Sequence, residues 1–230
     1  MLAELKRRLR TLAHPERAAH SQRFFKTAPG QYGHGDKFLG LTVPTMRGVV
    51  REFRELPLAD AEALLASPWH EDRLVALMIL VEQYRRTPAA RNAIYSLYLA
   101  RTDRINNWDL VDVSAANIVG AHLAERSRKP LLRLAKSTSL WERRIAIVAT
   151  LHFIRRNELD DTLAIARLLL ADPHDLIHKA CGWMLREAGK RDERVLRAFL
   201  DEHAARMPRT MLRYAIERLG DRRRYLTRRR

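Results

Sequence analysis

Trp108 and Asp112 are the pair of residues whose types and spacing point to chemistry. They lie four positions apart in the segment Asn106-Asn-Trp-Asp-Leu-Val-Asp112, and this spacing places two side chains on one helix face, one turn apart. An indole ring attracts a cation through its face, and a carboxylate attracts it by charge. Such a face is suited to hold and stabilise a positively charged group.

The elements that must position this pair are helices. Apolar residues recur at three- and four-residue spacing, which indicates helices, and strands with alternating apolar residues are not indicated. The sequence therefore predicts an all-α fold. Residues 27–40 are rich in glycine and precede Pro44, which predicts a structured loop followed by a helix capped at Thr42 or Val43. The helical segments are predicted at 58–101, 108–136, 139–170 and 174–204.

Internal similarity points to a repeat architecture. Three segments each combine a turn residue, a polar stretch, a cation and an apolar helix. When their cations are aligned, Arg73, Arg144 and Lys179 become equivalent, and steps of roughly one further repeat lead to Trp108 and Arg213. A period of about 35 residues predicts an α-solenoid of HEAT-like or armadillo-like helical repeats.

Equivalent positions of a solenoid line one concave face. We therefore expect a basic concave groove, into which Asp112 and Trp183 project one helical turn after the aligned positions. The column predicted along this groove consists of Arg73, Trp108, Arg144, Lys179 and Arg213. Two alternatives stay open: Asp112 forms an internal ion pair with Arg144, and the tryptophans pack in the core.

The charge of the chain favours a polyanionic partner. The 230 residues include 43 Lys and Arg against 27 Asp and Glu, a formal charge of +16, and such an excess favours nucleic acid. A compositional preference for arginine is the alternative. Because the last nine residues carry six arginines, we expect one HEAT-like repeat domain at 1–221 and a solvated basic tail at 222–230.

Several classes of protein and site are excluded by composition. Cys181 is the single cysteine, so neither an internal disulfide nor a cysteine-based zinc site is expected. The glycine-rich segment Gly30–Gly35 lacks the Gly-Lys-Ser/Thr ending of a phosphate loop. No apolar run is long enough to span a membrane, and the N-terminus lacks the pattern of a signal peptide. We expect a soluble cytoplasmic protein without a metal, a cofactor, a bound nucleotide or a membrane partner.

Four segments in this order resemble one family, the HEAT-like-repeat alkylpurine DNA glycosylases, also described as D-type bacterial DNA alkylation repair enzymes. The resemblance extends from Phe24 to Leu219, and it implies that Asp112 is the catalytic carboxylate. It further implies that Trp108 and Trp183 form the aromatic walls around the lesion and that Arg144 is the cation of the pocket. The segments are Pro29–Arg47, Asn106–Asp112, Trp141–Ile147 and His178–Glu187.

The resemblance implies an activity and a partner. The expected reaction is hydrolysis of the N-glycosidic bond of positively charged N3- or N7-alkylated purines in duplex DNA, without a deep base-flipping pocket. We expect a monomer in which Arg73, Lys179 and Arg213 bind the DNA backbone. A non-catalytic DNA-binding member of the family is the first alternative, and a protein-binding helical scaffold is the second.

Overall fold

The computed structural model describes residues 1–226, which form helices joined by turns and loops. This part of the chain contains no β-strand, only an isolated parallel bridge between Lys37 and Trp69, so the predicted all-α class is confirmed. None of its helices is long and apolar enough to cross a membrane.

The chain divides into two compact units, Met1–Ile118 and a second unit that begins at Val119. The helices of the first unit are α1 (Leu2–Thr11), α2 (Pro15–Phe24), α3 (Val43–Glu52), α4 (Leu58–Leu65), α5 (His70–Arg86), α6 (Arg91–Ala100) and α7 (Trp108–Ala115). Short 3-10 turns cover Pro88–Ala90 and Thr102–Arg104, and a π-helical turn, Ala116–Gly120, follows α7. Helix α5 is the centre of the first unit, since it packs against α3, α4, α6 and α7.

The second unit is built in the same way. Its helices are α8 (Ala121–Leu123), α9 (Lys129–Ala135), α10 (Leu140–Ala149), α11 (Leu151–Arg155), α12 (Asp160–Leu168), α13 (Asp175–Gly189), α14 (Glu193–His203), α15 (Arg209–Ala215) and α16 (Arg223–Leu226). Helix α13 packs against α10, α12, α14 and α15. Each predicted helical segment is thus a succession of helices separated by turns.

The start of α3 follows the sequence prediction. Thr42 is the N-cap, and its hydroxyl oxygen accepts a hydrogen bond from the backbone N–H of Thr45 at 3.4 Å. Pro44 lies in the first turn, where no intrahelical donor is needed. The expected helix start is therefore confirmed.

The glycine-rich loop is held by a buried carboxylate. Glu71, 3% exposed, accepts hydrogen bonds from the backbone N–H groups of Leu39 and Gly40 at 2.8 Å and of Leu41 at 3.3 Å. Gly40 adopts φ +77°, and a Cβ there would lie 2.3 Å from the carbonyl oxygen of His14. The loop is therefore ordered by charge-assisted hydrogen bonds and by a close backbone approach that requires glycine.

The segment 222–230, which the sequence predicted to be a solvated tail, contains one buried side chain among its described residues. Helix α16 lies within it, Tyr225 is 1% exposed, and Arg224 forms an ion pair with Asp201 at 3.1 Å. An aromatic ring of this burial anchors residues 222–226 to the second unit because it removes a large apolar surface from water. Residues 227–230, the rest of the predicted tail, lie outside the described part of the chain.

Candidate functional site

Trp108 and Asp112 lie one turn apart at the start of α7, as their spacing predicted. Trp108 is the first residue of the helix, and the side-chain oxygen of Asn107 accepts a hydrogen bond from its backbone N–H at 2.8 Å. Asn107 is fully buried, whereas Trp108 and Asp112 are half-buried. The helix start is therefore fixed from inside the protein, while both candidate side chains reach the surface.

Two phenylalanines support Trp108 and were missed in the sequence analysis. The ring of Phe25 stacks on the indole of Trp108, with 5.4 Å between centroids, and Phe24 meets it edge-on at 6.0 Å. Phe25 stacks in turn on Phe38 at 5.1 Å. Phe24 is 57% exposed. The sequence signal that could have predicted this support is the adjacent aromatic pair Phe24 and Phe25 at the end of α2.

Asp109 pairs with a buried histidine and does not lie on the helix face that carries Asp112. His70, 2% exposed, lies 2.7 Å from Asp109 through Nε2 and 3.4 Å from Asp36 through Nδ1. Burial lowers the pKa of His70, but the two carboxylates outweigh this and raise the pKa to about 9. His70 is therefore an imidazolium at neutral pH that donates to both carboxylates.

Arg73 is buried, which does not support the backbone contact expected from the sequence. It is 1% exposed, its Nη2 lies 2.7 Å from Asp36, and its Nη1 donates to the carbonyl oxygen of Ser67 at 3.1 Å. Burial raises the pKa of Asp36, but His70 and Arg73 together lower it below its usual value. Arg73 thus completes an internal charge cluster and has no surface left for a phosphate.

The hydrogen bonds show why the repeat alignment misplaced Arg73. Arg143 also donates from Nη1 to the carbonyl oxygen of the serine six residues earlier, Ser137, at 3.0 Å. It pairs with a buried aspartate, Asp172, at 2.6 Å. Its counterpart Arg73 is therefore equivalent to Arg143 and not to Arg144, so the alignment of cations was shifted by one residue.

The candidate residues of the second unit lie on three of its helices, α10, α13 and α15. Lys179 and Trp183 are one turn apart on α13, Arg144 is on α10 and Arg213 is on α15. Arg144 is only 4% exposed, and its Nη1 donates to the carbonyl oxygen of Leu176 at 2.6 Å. This burial leaves at most a small part of Arg144 for DNA, whereas Arg213 is exposed.

Trp183 borders a surface cavity of the second unit. The cavity has a volume of about 450 Å³, and cationic side chains at Arg155, Lys190 and Arg191 line it together with Trp183. Lys179 is 42% exposed and pairs with Asp175 at 2.8 Å. An indole beside a cationic cavity can receive a planar group attached to an anion.

Within residues 1–226, no group of three or more histidine, cysteine, aspartate or glutamate side chains is arranged to hold a metal ion.

A sequence model of the family described as DNA alkylation repair enzyme matches residues 5–219. The chain belongs to this family. No curated protein matches the sequence. The family match covers every candidate residue.

A solved structure supports the fold. The predicted DNA alkylation repair enzyme from Enterococcus faecalis is similar over 91% of this chain and 97% of its own, with a TM-score of 0.70 and 19% sequence identity. At this identity the likeness concerns the fold, which is therefore shared across nearly the full length of both chains.

Proposed function

We propose that the chain is a DNA glycosylase that removes N3- and N7-alkylated purines, such as 3-methyladenine and 7-methylguanine, from duplex DNA. Family membership supports a role in repair of alkylated DNA. The observation that carries the finer proposal is the N-terminal part of α7, where Trp108 and Asp112 share one helix face and are both half-buried. The buried cap residue Asn107 and the charge cluster around His70 support this part of the helix. A rigid support of this kind is what a preorganised catalytic carboxylate needs.

The chemistry of the substrate explains why one carboxylate suffices. Alkylation at N3 or N7 makes the purine a cation, so it is already an activated leaving group and needs no strong general acid. Cleavage of the N-glycosidic bond develops oxocarbenium character on the deoxyribose. Asp112 stabilises this positive charge and positions the attacking water, and Trp108 contacts the cationic nucleotide through its ring face.

The second unit supplies the remaining proposed contacts. Trp183 takes the part of an aromatic wall for the lesion, consistent with its place at a surface cavity. Lys179 and Arg213 bind backbone phosphates, for which their exposure is suitable. Arg144 has the smallest accessible surface of the four, so its proposed contact with the substrate is confined to a small part of the side chain.

The test is release of free bases from methylated duplex DNA with enzyme in excess, followed by chromatography. We expect Asp112→Asn to lower the rate of release by at least about 100-fold, since it removes a preorganised charge that acts in the transition state. DNA affinity should remain or rise slightly, because a like charge facing the polyanion is lost. Normal release by this variant would contradict the catalytic assignment.

A matched control is Asp103→Asn. Asp103 is exposed in the 3-10 turn before α7, so the substitution removes the same charge near the same helix, and we expect release to stay normal. If the wild-type chain binds DNA with steep salt dependence but releases no base, the non-catalytic alternative holds. Weak nucleic-acid affinity without salt dependence would instead favour a protein-binding scaffold.

A further inference from the structure

A buried ion pair joins α5 to the part of α7 that carries the proposed site. His70 of α5 is 2% exposed, and its Nε2 lies 2.7 Å from a carboxylate oxygen of Asp109. Asp109 directly follows Trp108 and lies three residues before Asp112. Because the ring of His70 is covered by protein, it cannot touch DNA, and any effect on a reaction must pass through its neighbours.

The ring of His70 also belongs to a stack of aromatic side chains that ends at Trp108. The ring centroid of Phe25 is 4.8 Å from that of His70 and 5.4 Å from that of Trp108. Phe38 of the glycine-rich loop lies against the same imidazole, with 4.7 Å between centroids. Two routes therefore connect the indole to His70, one through Phe25 and one through the backbone at Asp109.

Charges hold the imidazole ring in one orientation. Its Nδ1 lies 3.4 Å from Asp36, so both ring nitrogens have a carboxylate partner. Only an imidazolium can donate to both carboxylates at once, since the neutral ring has a single N–H. Among the described residues, the charged groups that face His70 are Asp109 on α7, Asp36 on the loop and Arg73 on its own helix.

We propose that the ion pair between His70 and Asp109 positions the substrate-facing side chains of α7. It fixes the start of the helix and the indole, so that Trp108 and Asp112 face the substrate together. The inference rests on the proposed function and deepens it, because it names the residues that support the same site. A carboxylate stabilises developing positive charge best when it is already in place, and a displacement of about 1 Å can lower a rate about 100-fold.

A positioning role and a purely structural role have different consequences. If the pair only stabilises the fold, its loss lowers the melting temperature, but the molecules that remain folded react at the normal rate. If the pair positions Trp108 and Asp112, folded molecules react more slowly although they still bind DNA. The rate must therefore be measured on folded protein and compared with DNA affinity.

The experiment compares the full-length chain with His70→Gln and with Asp109→Asn, well below their melting temperatures. Release of 3-methyladenine is measured with enzyme in excess. Binding is measured by anisotropy on an undamaged duplex and on a duplex in which a cationic pyrrolidine replaces one deoxyribose, since this ring imitates the charge of the oxocarbenium-like state.

We expect both variants to lower the release rate and the preference for the pyrrolidine duplex by about 10- to 100-fold. Affinity for the undamaged duplex should stay within about twofold, because phosphate contacts dominate it. Asp109→Asn keeps the size of the side chain, so it remains informative if the His70 variant does not fold. Normal release and normal preference in the folded variants would overturn the proposal.

The matched control is Arg10→Gln. Arg10 donates through both terminal nitrogens to buried Asp72 at 2.7 Å, so the variant also breaks an ion pair of α5, but one that joins this helix to α1. We expect a lower melting temperature with normal release and normal preference for the pyrrolidine duplex. A loss of rate as large as that of His70→Gln would assign both pairs a structural role and contradict positioning.

The pH profile adds a readout that a structural role does not change. Although burial lowers it, the pKa of His70 is raised to about 9 by the two carboxylates. The ratio of the wild-type rate to the His70→Gln rate cancels the pH dependence of the substrate. It should be constant at neutral pH and fall as pH rises through about 9, where the imidazolium is lost. A ratio that does not change across this range would count against the charged pair.

The two assays separate failure of this inference from failure of the proposed function. If the wild-type chain releases no base, the glycosylase is contradicted, but a preference for the pyrrolidine duplex that depends on His70 and Asp109 would still support the positioning. If the wild type and both variants release base equally, the glycosylase is supported and the positioning is overturned. Neither release nor preference in the wild type would contradict both.

Discussion

The imidazolium of His70 joins three parts of the first unit at one buried point. Its two nitrogens face Asp36 of the glycine-rich loop and Asp109 of α7, and Arg73 on its own helix also pairs with Asp36. The ring of His70 also lies 4.7 Å from Phe38. Two cations and two anions compensate one another, so this cluster adds no net charge beneath Trp108.

The charge of His70 should make stability depend on pH. Its pKa is raised from 6.5 to about 9 by Asp109 and Asp36 against the effect of burial and of Arg73. A raised folded-state pKa gives stability that is complete below about pH 6.5 and is lost as pH rises through about 9. We expect His70→Gln to abolish this component, which amounts to about 3 kcal/mol or less.

The measurement is the free energy of unfolding in urea at pH 6, 7.5 and 9.5. The difference between wild type and His70→Gln should shrink towards high pH, while the loss of ring stacking contributes a constant offset. His34→Gln, at an exposed position, serves as the control and should show no such trend. A constant difference for His70→Gln across this range would show that folding leaves the pKa of His70 unchanged and would contradict this prediction.

At the level of helices, most of what the sequence predicted came from the periodicity of apolar residues and from capping residues. The all-α class and the start of α3 at Thr42 followed from local signals, since spacing of apolar residues and cap chemistry act within a few residues of sequence. The pairing of His70 with Asp109 joins residues that are distant in sequence. No local pattern indicates such a partner.

The burial of Arg73 shows the same limit at the repeat level. Its sequence context resembles that of both Arg143 and Arg144, and only the hydrogen bond to the serine carbonyl six residues earlier distinguishes them. A shift of one residue on a helix turns a side chain by about 100°, which changes the groups that the side chain faces. The family resemblance identified the candidate residues along the chain, but it did not predict which of them are exposed.

The crossing of α13 and α15 offers a test of helix packing. A Cβ at Gly182 would lie 2.5 Å from the carbonyl oxygen of Met211 and 2.5 Å from the Cβ of Tyr214. Because backbone must move to admit a methyl group, we expect Gly182→Ala to destabilise the protein by about 1–3 kcal/mol. Urea unfolding measures the effect.

Gly48 provides the opposite control for the same substitution. It lies inside α3, where the nearest atom to an added Cβ is a side-chain nitrogen of Arg51 at 4.0 Å. Alanine there gains helix propensity without a clash, so Gly48→Ala should stabilise the protein by about 0.5–1 kcal/mol. If the two variants changed stability in the same direction, the close approach of α13 and α15 would not be the deciding factor.

Over the whole molecule, the charge of +16 is unevenly available to a partner. Arg128 pairs with Glu158 and Asp161, and buried Arg73 is neutralised by Asp36. Such arginines add to the formal charge without presenting a free cation to DNA. Net charge therefore favoured a polyanionic partner, but it did not indicate which arginines the protein itself already neutralises.

The packing of α16 can be tested at Tyr225. This ring is 1% exposed, whereas the next residue, Leu226, is 44% exposed. Truncation of a buried aromatic side chain costs about 3 kcal/mol or more, which corresponds to a fall in melting temperature of roughly 6 °C or more for a chain of this size. We expect this fall for Tyr225→Ala in calorimetry and little change for Leu226→Ala. Equal melting temperatures for the two alanine variants would return residues 222–226 to the solvated tail that the sequence predicted.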